Sequence, residues 1–163
     1  MGPPMFLQAI EGTGFSTWLR ESESPFAFYF ILLFHTFGLA LLVGANAVVD
    51  LRLLGLAGRR QSVTELADQL FPWSWIGLGL CVLSGFFMFA ASATGFVVNA
   101  QFLIKMVVTV VAIAVGVLVQ RSTPKWDQPS GTPPLAKVTA VVSLALWIGA
   151  ILMAAEIANY SEL

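Results

Sequence analysis

From residue 69 to residue 104 the chain carries no Asp, Glu, Lys, Arg or His. A helix needs ~20 residues to cross ~30 Å of hydrocarbon, and this gap exceeds that. Three more apolar runs accompany it. Between Glu23 and Asp50 the only Asp, Glu, Lys, Arg or His is His35, a third run spans about Ala100–Gln120 with Lys105 one turn inside it, and a fourth spans about Leu135–Ala155. Soluble domains carry roughly 25% charged residues. Here 10% are charged and 58% hydrophobic, too little charge to coat a water-exposed surface. The reading is an all-α integral membrane protein, an up-and-down four-helix bundle with a short N-terminal interfacial helix.

The run boundaries carry helix-end chemistry. Ser24-Pro25 and Thr132-Pro133-Pro134 place cap residues before prolines at helix starts, where a missing N–H costs nothing. Ser62-Val63-Thr64-Glu65 reads as a capping box. The predicted layout is an N-terminal interfacial segment, 1–24, and a single four-span domain, 25–160. Its spans are about 25–49, 72–92, 100–120 and 134–157, with a flat interfacial helix at about 62–70 before Phe71-Pro72-Trp73 turns the chain inward. Trp73, Trp75 and Trp126 are assigned to an interfacial aromatic belt. Residues 1–24 lack the positive start and continuous apolar core of a secretory signal.

Arg52, Arg59 and Arg60 fall in the first connection and Arg121, Lys125 and Lys137 around the third, while the second connection has no Lys or Arg. The positive-inside rule then places both termini outside the cytoplasm. A net charge of −1 gives no basic excess for a phosphate backbone, which argues against nucleic-acid partners. The partners implied are the lipid bilayer and other membrane subunits or further copies of the chain.

Lipid is as apolar as leucine, so close helix packing must come from small residues. Gly77, Cys81 and Gly85 repeat every four residues, as do Ala112 with Gly116 and Ala145 with Gly149. These predict the interhelical seams. Phe26, Phe28, Phe30, Phe34 and Phe37, with Phe86-Phe87, are available to lipid, neighbouring chains or a flat cofactor.

Lys or Asp at a helix centre costs at least ~2.5 kcal/mol, so each intramembrane ionisable group needs a reason. His35 lies ten residues into the first run, ~15 Å down at 1.5 Å per residue. Gly38 and Asn46 share its face. Such a histidine can ligate a metal or cofactor, or bond a carbonyl or hydroxyl on another helix, and Gly38 leaves room for a flat ring. Lys105 and Glu156 are expected at similar depth, where they would form an ion pair unless Lys105 snorkels to the interface. Arg52 marks the end of the first span and suits a lipid phosphate or a cofactor carboxylate. The candidate cofactor-binding set is His35, Gly38, Arg52 and Lys105, with His35 also the candidate metal ligand. The single Cys81 removes cysteine-based metal sites within one chain. No catalytic constellation or nucleotide loop is present, and Met88, Met106 and Met153 lack the spacing of a copper site.

His35 with Gly38 and Gly44, Asp50-Leu-Arg-Leu-Leu-Gly55, Phe71-Pro72-Trp73, Ser84-Gly85 and Asn99-x-x-Phe102-x-x-Lys105 resemble an uncharacterised family of small bacterial four-helix membrane proteins, over about residues 25–160. More distantly, a histidine on the first span and a lysine on the third are similar to CopD-type copper-resistance domains and HemJ-type protoporphyrinogen oxidases. The HemJ resemblance implies haem b or porphyrin chemistry at His35 and Lys105. Related sequences often carry a second histidine where this chain has Gln120, and a Gly-Arg where it has Ala155-Glu156. With one histidine, haem held by two histidines of one chain is excluded. Five-coordinate haem, His/Met or His/Lys ligation, a site shared between chains, or no cofactor remain.

Two functions follow. One is a small subunit, inactive on its own, that anchors or completes a larger respiratory or redox complex of the bacterial inner membrane. The alternative is a membrane redox protein binding haem b or a quinone at His35. A bound lipid is a third candidate occupant.

Overall fold

A computed structural model describes residues 4–22, 25–58, 60–129 and 131–160. Four long helices form the body: α3 (Pro25–Leu53), α4 (Val63–Ala91), α6 (Ala100–Trp126) and α7 (Pro134–Tyr160). Short helices α1 (Met5–Glu11), α2 (Gly14–Glu21) and α5 (Ala93–Val98) lie at one end. All four long helices have a stretch long and apolar enough to cross a membrane. The chain is therefore a multi-pass membrane protein built as an all-helical bundle. In the bundle α3 packs most extensively on α4 and α6 on α7, and the α3–α7 and α4–α6 faces close the ring.

The N-terminal segment is two helices, broken at Gly12-Thr13 because the Thr13 side chain caps α2 through the Ser16 N–H at 3.3 Å. Arg20 ties this pair to the bundle: it donates to the carbonyls of Glu11 (3.0 Å) and Ala91 (2.9 Å). Glu11 Oε2 in turn accepts from the Thr94 N–H at 3.2 Å.

The capping box at Ser62 and Glu65 is present. The segment expected to lie flat at 62–70 is instead the first turns of α4, which runs unbroken through Pro72. Its 29 residues span ~43 Å at 1.5 Å per residue, more than the hydrocarbon requires, so the early turns serve as the emergent end of the span. They are packed there. Val63, Ala67 and Phe71 join a buried cluster with Val49, Leu53, Val119, Trp126, Ala136 and Ala140. Trp126 therefore belongs to this core rather than to an aromatic belt, whereas Trp73 and Trp75 are exposed. The proposed cap Ser24 lies outside the described residues. Asp127 pins this end by accepting from the Thr64 N–H at 3.1 Å. The α3–α4 and α6–α7 connections thus adjoin.

The seam on α4 lies where small-residue spacing put it. A Cβ on Gly77 would sit 2.6 Å from the Gly38 carbonyl oxygen and from the Leu42 nitrogen. Only two glycines let the α3 and α4 backbones approach so closely. On α7 the seam is Ala136, Ala140, Ser143, Trp147 and Ala150, all buried. Ala145 is exposed and a Cβ on Gly149 would meet open space, so that stripe faces outward.

Candidate functional site

His35 is half-buried where α3 meets α4. Its Nδ1 lies 2.9 Å from Ser84 Oγ. The Ser84 hydroxyl donates to the Leu80 carbonyl within its own helix. With its one proton used, Ser84 can only accept from His35, so Nδ1 carries the imidazole hydrogen. The Nε2 lone pair of the neutral ring is left to accept a hydrogen bond or to ligate. The ring lies over Gly85, where a Cβ would sit 3.4 Å from Cε1 of His35, an ordinary contact. Cys81 closes the same patch, its thiol donating to the His35 carbonyl at 3.7 Å.

Lys105 comes from α6 toward the same region. Its charge is felt at both His35 and Cys81. Its ammonium lies 5.9 Å from the Phe102 ring centroid. Phe102 belongs to an aromatic cluster with Phe96 (4.9 Å) and Phe89 (6.0 Å). Among the described residues the only ion pair is Arg20–Glu11, at 3.8 Å. The expected Lys105–Glu156 pair is therefore absent, and the physical reason is rotational: Glu156 is exposed, on the outward α7 stripe of Ala145 and Gly149.

The other two sequence candidates go elsewhere. A Cβ on Gly38 would lie 2.9 Å from the Gly77 carbonyl oxygen and 2.9 Å from Leu80 Cβ. The space beside Gly38 belongs to α4 and offers a macrocycle no cradle. Arg52 donates from Nε and Nη2 to the Gln61 carbonyl, at 3.0 and 2.9 Å, and so fastens the α3–α4 loop. Lys105 thus stands near enough for its charge to bear on His35, while Arg52 is engaged at the far end of α3. No group of three or more His, Cys, Asp or Glu side chains suited to a metal occurs among the described residues.

A second polar region lies nearer the C-terminal end of α3, around Asn46, whose place on the His35 face the sequence indicates but whose partners it does not. Asn46 is buried and donates to Ser74 Oγ on α4 (2.8 Å) and to the Leu42 carbonyl (2.7 Å). A Cβ on Gly116 would come within 2.9 Å of Asn46 Oδ1, so α6 needs a glycine there. Gln120, standing where related sequences often carry histidine, accepts from the Trp75 indole at 3.1 Å. Asp50 is 1% exposed, although its sequence position suggested a boundary charge.

A family of unknown function, DUF6644, matches residues 12–159. The chain belongs to this family. The match agrees with the resemblance to an uncharacterised four-helix membrane family, and nothing in it connects the chain to the CopD or HemJ types. No curated protein and no solved structure matches the chain. Function in this DUF6644 chain must be argued from its own side chains.

Proposed function

We propose that this is a small inner-membrane protein that binds the headgroup of a lipid-soluble quinol or quinone between His35 and Lys105. The observation that carries the reading is the pinned tautomer of His35: with Nδ1–H given to Ser84, Nε2 is an acceptor for a quinol hydroxyl. Lys105 offers the complementary donor for a carbonyl oxygen, and the Phe89, Phe96 and Phe102 rings supply flat apolar surface beside it. Membrane partition delivers such a ligand, because its isoprenoid tail shares the lipid phase. Haem b fits these residues less well, since the Gly38 face is filled by α4. The positive connections 52–60 and 121–137 adjoin through the Asp127–Thr64 bond, which supports a topology with that end cytoplasmic and both termini outside.

The test is quinone retention. Protein extracted in mild detergent should carry endogenous quinone, and His35→Leu or Lys105→Met should lower the bound fraction about 10-fold, the equivalent of one hydrogen bond at the upper end of the usual net range. Equal retention in all three proteins would refute the site. A Soret band that responds to dithionite and disappears in His35→Leu would replace the quinone with haem.

A second reading is a subunit that completes a larger membrane complex. It is favoured by an open apolar groove along α4, lined by Trp75, Gly79, Val82, Leu83 and Phe86. Crosslinking from Gly79→Cys to another chain in native membranes would support it.

A further inference from the structure

Three buried polar atoms near the α3–α4 loop end have no hydrogen-bond partner among the described residues: Asp50 Oδ2, Ser143 Oγ and Trp147 Nε1. Their residues are 1%, 0% and 2% exposed. Ser143 and Trp147 are one turn apart on α7, as Asn46 and Asp50 are on α3. The Ser143 hydroxyl lies beside the Asp50 carboxyl, and these two groups can serve each other, whereas the Trp147 indole N–H has no such neighbour among the described residues. Trp147 and Asn46 line a cavity of about 20 Å³, together with Ser74, Gly116 and Gln120. A buried polar atom left unpaired costs ~1–3 kcal/mol, so the indole N–H beside this polar cavity requires an acceptor.

The donor and acceptor pattern selects its chemistry. Trp147 Nε1–H can only donate, so the occupant must accept. A metal cation cannot accept from the indole, whereas a neutral hydroxylic molecule can, and a cavity of this size holds about one water. We propose that an internal water occupies this cavity. It accepts from Trp147 and shares the polar wall of Asn46 and Ser74. The site stands apart from His35, which lies three turns away from Asn46 on α3, and does not depend on the quinone reading.

The test uses the full chain in lipid nanodiscs with ¹⁵N-indole tryptophan. The Trp147 signal is assigned by its loss in Trp147→Phe, or by paramagnetic labelling at position 149 if that variant fails to fold. A cross-peak from the Trp147 indole proton to water is expected, and it should vanish when Asn46→Leu replaces the polar wall with an apolar one. Absence of that cross-peak in the wild type overturns the proposal. So does a melting midpoint that rises with sodium over equimolar N-methylglucamine and loses that response in Asp50→Asn, which would assign the seam to a cation.

Discussion

Ser84 accepts the Nδ1 hydrogen of His35 at 2.9 Å while spending its own proton on the Leu80 carbonyl. One hydroxyl on α4 thereby decides which nitrogen of the only histidine is free. Ser84→Ala removes that acceptor and lets the tautomers mix. The expected loss of stability is small, about 1 kcal/mol, because interhelical hydrogen bonds in membranes are individually modest. The loss of bound quinone should be disproportionate, and Ser84→Thr should restore it. A calorimetric melt and quinone extraction on the same preparations separate the two effects. Equal quinone in Ser84→Ala and wild type would mean that the tautomer does not matter.

Gly77 and Gly38 set the distance between α3 and α4. The atoms that a new Cβ on Gly77 would meet are backbone, at 2.6 Å, and cannot rotate away. Gly77→Ala should therefore push the helices apart and destabilise by at least about 1–3 kcal/mol, the usual cost of overpacking. Gly79→Ala, two residues on, meets open space and should be neutral or slightly stabilising. Unfolding in mixed micelles will compare them, and similar midpoints would show that the α3–α4 seam adapts.

Arg52 was a candidate for holding a lipid phosphate or a cofactor carboxylate, but two of its nitrogens fasten the Gln61 carbonyl. Gly58, at a φ of 63° and 3.3 Å from Arg52 Cδ by its notional Cβ, completes the turn. Arg52→Ala should raise protease cleavage between residues 54 and 61 without changing quinone retention. A drop in retention would return Arg52 to the ligand site.

The spans were legible because charge gaps longer than a bilayer admit one reading, and the α4 seam because glycine every four residues leaves few alternatives. The flat helix at 62–70 was misread because a proline early in a helix resembles a boundary. Pro72 loses one backbone bond, but the packing of Val63, Ala67 and Phe71 holds the helix through it. Asp50 looked like a boundary charge because sequence shows only its nearness to Arg52. Its burial comes from α7, whose alanines at 136 and 140 are also fully buried. The role of Ser84 had no sequence signal, since serine in an apolar helix commonly bonds its own backbone. Lys105 and Glu156 are expected at one depth, which suggests a pair, yet depth says nothing of rotation about the helix axis.

Two carboxylates outside the spans, Glu11 and Asp127, give opposite ends of the molecule separate acid responses. Hydrogen bonds from Thr94, helped by the nearby Arg20 charge, hold Glu11 below the usual glutamate range. At Asp127 burial pushes upward, but the hydrogen bonds from Thr64 and its neighbours outweigh it and the net direction is down. A carboxylate depressed in the folded state adds stability that is complete above its unfolded range and is lost as pH falls through the folded value. Acidification below the ordinary carboxylate range should therefore release α1–α2 from Thr94 and loosen the start of α4 from Asp127. Hydrogen exchange as a function of pH reads both. Amides of residues 5–21 should lose protection in acid, and Glu11→Gln should exchange faster at neutral pH with little further change in acid. Asp127→Asn should do the same for residues 63–66 alone. Protection that stays flat in the wild type down to the pH where the whole bundle unfolds would mean that neither contact is a local anchor.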